Sequence, residues 1–218
     1  MKKRTKKTSA VKKIKKHKQP PQKTLKKVKP AAKRKIYQFK ITLKDISPKI
    51  WRRFAAPADM SLHDLSMVII EVMGWSGAHL YAYHIGGLEY GMPDDELDAD
   101  KGILADDDVL VKDALKEKQQ FEYVYDFGDD WRHQLVVEKI TEADPEMKYP
   151  VCLGGERACP PEDCGGAPGY EDPGEAPEDP NHERHGELSG WAGDYNPEEF
   201  DVKEVNERIK SIENQEDT

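Results

Sequence analysis

The chain has 218 residues, with 34 Lys+Arg against 42 Asp+Glu and a formal net charge of −8. That sum hides a split: residues 1–35 carry 17 Lys/Arg and no acid, while residues 36–218 carry the other 17 bases and all 42 acids, a body of −25. The division points to a basic tail on an acidic folded domain and excludes a uniformly acidic protein. No apolar run reaches the length of a transmembrane helix, so no membrane partner is expected. The basic N-terminus lacks the apolar stretch of a signal peptide. The 3 cysteines cannot form a fully paired disulfide framework, and a reducing cytoplasm is the expected compartment.

Residues 1–35 repel one another, include three prolines and have almost nothing to bury, so a disordered tail is expected. Residues 36–212 read as one α+β domain, and 213–218 as a short C-terminal tail. Ile36, Tyr37, Phe39, Ile41 and Leu43 alternate with polar residues as a half-buried strand does. Lys49–Phe54 reads as a second strand. Residues 61–73 form an amphipathic helix, with Ser61 as N-cap, Asp64 three residues on in a capping-box variant, and Gly74 just past the end. His79–Ile85 and the segment through Tyr90 read as a hairpin turning at Gly86-Gly87. Residues 93–108 hold eight acids and one Lys and read as a solvated loop. They do not fit a calcium loop, because Asp94, Glu96 and Asp98 are followed by Ala99 where Gly is required.

A short helix is expected over Val109–Leu115. Two strands follow, Phe121–Tyr125 and Trp131–Ile140, joined by a turn at Asp126–Asp130. Residues 150–197 include 17 Gly or Pro and read as one long loop. The chain closes on a helix capped by Asp201, with Val202, Val205, Ile209 and Ile212 as its apolar stripe. The expected architecture is a single α+β domain with an antiparallel or mixed sheet flanked by helices.

Five strings occur together in this chain: Ile-Trp-Arg-Arg at 50–53, Met-Gly-Trp at 73–75 with His79-Leu80 after it, Tyr-Asp-Phe-Gly-Asp-x-Trp-x-His at 125–133, Pro-Pro-Glu-Asp-Cys-Gly-Gly at 160–166 with Gly169-Tyr170, and Asn-Pro-Glu-x-Phe-Asp at 196–201. In this order they resemble the plasmid ORF-three-like family, named for a reading frame on a root-inducing plasmid. Its members are often labelled insertion-element passenger proteins, sometimes with a resolvase-type name. The resemblance covers about residues 36–212. It implies an α+β fold and little about activity. The resolvase label fails a chemical check. Recombinase chemistry needs a nucleophile among clustered arginines. Arg52, Arg53, Arg132, Arg157, Arg184 and Arg208 surround no identifiable nucleophile.

Three chemistries remain open. Asp126, Asp129 and His133 in one turn, joined by Glu162 and Asp163 from the glycine-rich loop, form the candidate catalytic set of a metal-assisted, nuclease-like hydrolase. The alternation also places His133 inside, beside Trp131, Leu135 and Val137, where it is structural. Cys159 and Cys164 with His182 and His185 fit a zinc site loosely. The third is binding. The tail, with Lys2, Lys3, Arg4, Lys6, Lys7, Lys12, Lys13, Lys15, Lys16 and Lys18, is expected to bind nucleic acid without sequence preference. No aromatic interleaves those lysines, so base stacking is not offered. The body is then a binding module, or a pure protein–protein module docking through the exposed members of its Trp/Tyr set.

Overall fold

The computed structural model describes residues 34–92, 102–171 and 195–213. The lysine tail, Asp94–Ala99, and His182 and His185 lie outside the described residues. Eight strands form one sheet: β1 Lys35–Leu43, β2 Trp51–Pro57, β3 Tyr81–Ile85, β4 Leu88–Gly91, β5 Leu104–Ala105, β6 Gln120–Tyr125, β7 Trp131–Glu142 and β8 Val151–Glu156. Their order is β5-β4-β3-β6-β7-β1-β2-β8. Every pairing is antiparallel except β4 with β5. The fold is therefore α+β on a mixed sheet, as expected.

The alternation seen in β1 is that of a strand with one wet face. Phe39, Ile41 and Leu43 are fully buried, while Lys40 and Thr42 between them are half-buried. Helix α1, Leu62–Met73, covers the apolar face with Leu62, Leu65, Val68, Ile69 and Val72, all fully buried. Its start follows the capping box: Ser61 Oγ accepts from the Asp64 backbone N–H at 3.0 Å, and Asp64 Oδ2 accepts from the Ser61 N–H at 3.2 Å. The C-terminal helix, α4 Val202–Glu213, packs on α1 and β8 and adds Val205 and Ile209 to the same core. Gly86 and Gly87 turn the β3–β4 hairpin at φ of 61° and 85°, the double positive φ of a type I′ turn.

Three expectations need correction. Residues 150–197 are not one loop: β8 lies inside them and pairs with β2, and a one-turn helix, α3 Gly166–Glu171, follows. The acidic stretch is not wholly solvated, since Leu104–Ala105 pair with β4 and Asp106 is buried, accepting the Tyr81 hydroxyl at 2.6 Å. The expected helix at 109–115 shrinks to α2 Val111–Ala114.

Candidate functional site

The Asp126–Asp130 turn and the 158–166 segment meet at one end of the sheet. The turn is built by Asp126, whose Oδ1 accepts from the backbone N–H of Gly128 at 2.8 Å and of Asp129 at 3.3 Å. Asp126 and Asp130 sit in the left-handed region, at φ of 57° and 54°, which Asp tolerates better than most residues. The Asp126 N–H donates to Leu80 O at 2.8 Å, extending the β3–β6 ladder by one step. That bond sets His79 beside Asp126.

Four contacts fasten the loop to the sheet. Tyr125 donates its hydroxyl to Glu162 Oε1 at 2.6 Å, and the Ser76 N–H donates to Glu162 Oε2 at 3.1 Å. Trp75 Nε1 donates to Pro160 O at 3.0 Å, and the Gly165 N–H donates to Asp129 Oδ2 at 3.1 Å. Burial, and then the bond to Glu162, push the Tyr125 phenol well above its ordinary range, so it stays a donor. Gly166 is required for the docking: a Cβ there would lie 2.2 Å from Asp129 O, and its φ is +67°. Beside this junction is a groove of about 570 Å³, lined by Asp45, Gly128, Asp129, Asp130 and Arg132.

The expected catalytic set is thus only partly assembled. Asp126, Asp129, Glu162 and Asp163 do gather at this junction. Asp129 and Glu162 spend carboxylate oxygens on holding the loop. His133 does not join them. It is fully buried, edge-on to Trp75 at 5.2 Å, and its Nδ1 donates to Tyr123 O at 3.2 Å. Burial lowers its pKa to about 4, so the ring is neutral at pH 7. Its Nε2 and the Nε1 of Trp131 are both buried without a hydrogen-bond partner. His133 is thus not brought together with Asp126 and Asp129. A strand face that points into the core cannot also deliver His133 to a turn at the surface.

The imidazole at this junction is His79, which is not among the candidate residues of the sequence reading. It stands edge-on to Tyr125 at 5.8 Å, with Asp126 on one side and Asp163 on the other. His79 belongs to one of the strings that carry the family resemblance, but only the register between β3 and β6 brings it to Asp126.

Of the zinc candidates, Cys164 is buried and Cys159 packs against the core, its thiol pushed well above the usual range by burial. None of the 3 cysteines forms a disulfide. Of the Trp/Tyr set, Trp75, Trp131, Tyr37, Tyr81, Tyr83, Tyr123 and Tyr125 are core residues, while Trp51, Tyr90, Tyr149, Tyr170 and Tyr195 are half-buried. The large apolar side chains exposed at this end are Leu80 and Phe127, each 53% exposed. Among the described residues no helix is long and apolar enough to cross a membrane.

The comparisons fit this architecture. The crystal structure of a protein of unknown function, MM3350 from Methanosarcina mazei Go1, matches with a TM-score of 0.68 and 33% identity, covering 80% of this chain and 99% of that one. The uncharacterized protein y4hQ of Sinorhizobium fredii (strain NBRC 101917 / NGR234) is 33% identical over 181 residues, 81% of this chain and 92% of its own length. The family described as plasmid pRiA4b ORF-3-like protein matches residues 35–204. The chain belongs to the plasmid pRiA4b ORF-3-like family.

Proposed function

We propose that the chain is an accessory protein of the plasmid or mobile-element type, associated with nucleic acid through residues 1–35, with the acidic body acting as a binding module for a protein partner. The charge division carries this reading. Seventeen cations in 35 residues release counterions from a polyanion, whereas a body of −25 is repelled by one. The body's binding end is the junction of the Asp126–Asp130 turn with the 158–166 segment, where Leu80 and Phe127 are exposed. The test is retention on immobilised duplex DNA and on RNA at low salt. The full chain is expected to be retained and to elute as salt rises; the chain lacking residues 1–35 is expected to flow through.

Hydrolysis by Asp126, Asp129, His133, Glu162 and Asp163 has weaker support. Asp129 and Glu162 are engaged in fastening the loop, and His133 is enclosed by Trp75 and Tyr123. A catalytic base must reach the proton it removes.

A further inference from the structure

Arg52 is a buried cation without an anion. The residue is 2% exposed. Its Nε donates to Val72 O at 2.9 Å, and its Nη1 donates to Trp51 O at 2.9 Å and to Glu156 O at 2.8 Å. Its Nη2 donates to nothing among the described residues, and no carboxylate there pairs with the guanidinium. Phe200 covers one face of the group, its ring centroid 4.5 Å from Arg52 Cζ. Gly155 leaves the space for both, since a Cβ there would lie 2.7 Å from Arg52 Cδ and 2.9 Å from Phe200 Cζ. A charge taken out of water is costly unless it is paired.

Arg208 brings a second cation to the same place. Both arginines line one cavity of about 250 Å³, together with Met73, Tyr195, Phe200 and Val205. The Arg208 Nε donates to Glu71 O at 3.4 Å and lies 3.9 Å from Glu71 Oε2. Its two Nη groups donate to nothing among the described residues. The Nε groups of both arginines thus serve the carbonyl end of α1, where positive charge is favoured. The Arg52 Nη2 and the Arg208 Nη groups are left over. Burial lowers the Arg52 pKa, and the like charge of Arg208 acts in the same direction. An anion in the cavity offsets both costs.

We propose that this cavity binds the carboxylate of a small organic acid, held by Arg52 and Arg208. A guanidinium presents its N–H groups in a planar fork that matches a carboxylate. Arg52 is the fixed donor, anchored by three backbone carbonyls and by Phe200. Arg208, with an exposed side chain, has the freedom to close on the ligand. Met73, Phe200 and Val205 offer apolar surface to the rest of the acid. The exposed Glu199, Asp201 and Glu204 also line the cavity and repel a dianion more than a monoanion. That selects a carboxylate over a phosphate. None of Asp126, Asp129, Glu162 and Asp163 lines this cavity, and the site does not depend on the basic tail.

The test titrates the full-length protein with acetate, benzoate and inorganic phosphate by calorimetry at constant ionic strength. The carboxylates are expected to bind at one saturable site per chain, and phosphate more weakly. Arg208→Gln, at an exposed position, is expected to weaken carboxylate binding about tenfold or more, as loss of a charged hydrogen bond does. Arg52→Lys keeps the charge but loses the fork and is expected to weaken it as well, with circular dichroism checking the fold. Arg132→Gln, outside the cavity, is expected to bind as the wild type does. Absence of acetate and benzoate binding in the wild type overturns the proposal. So does carboxylate binding unchanged by Arg208→Gln, or weakened equally by Arg132→Gln. Phosphate binding tighter than either carboxylate overturns the assignment of the ligand.

Discussion

At the scale of single residues, a carboxylate that looks catalytic in the sequence serves the docking of a loop. Glu162 accepts from Tyr125 and from the Ser76 amide, joining loop to sheet. Removing one partner of a charge-assisted bond costs about 1.5–3 kcal/mol. Tyr125→Phe is therefore expected to lower the denaturant midpoint by that order, measured by urea unfolding. His133 makes a separate prediction through pH. Burial takes its pKa from the ordinary 6.5 to about 4. Between those values the unfolded chain binds the extra proton and the folded chain does not. Its contribution is fully present above pH 6.5 and is lost as pH falls toward 4, about 2–3 kcal/mol by pH 4.5. The drop in unfolding free energy between pH 7 and 4.5 is expected to shrink by that order in His133→Leu. The interior position of His133 was legible from its alternation with Trp131 and Leu135. The role of His79 was not, because its partners lie 47 and 84 positions away along the chain.

At the scale of elements, local signals worked where the chain stabilises itself locally. The capping box of α1 is visible in Ser61 and Asp64, and it forms. Ser61→Ala is expected to cost about 1 kcal/mol in thermal or urea unfolding. Strand β8 is not legible in the sequence because Gly154 and Gly155 lack the side chains that mark a strand. Gly155 is nonetheless demanded there, since a Cβ would lie 2.7 Å from Trp51 O. The loop docking rests on Gly166 in the same way. Gly166→Ala must move either the loop or the Asp129 carbonyl, and is expected to cost roughly 2–4 kcal/mol in unfolding free energy. Tertiary contact, not local propensity, explains both glycines, and a single sequence does not display it.

At the scale of the whole molecule, the net charge of −8 describes neither part of the chain. The family match begins at residue 35, where the lysine-rich segment ends. Family membership therefore speaks for the acidic body, while affinity for nucleic acid is proposed for the segment before it. The two separate experimentally. Binding of the full chain to duplex DNA, followed from about 50 to 200 mM salt, is predicted to weaken steeply and linearly on a log–log plot, as counterion release requires. The chain lacking residues 1–35 is predicted to show no binding anywhere in that range. Retention of the truncated chain with the same affinity and the same salt slope would contradict the account, because it would place the nucleic-acid contact on the acidic body.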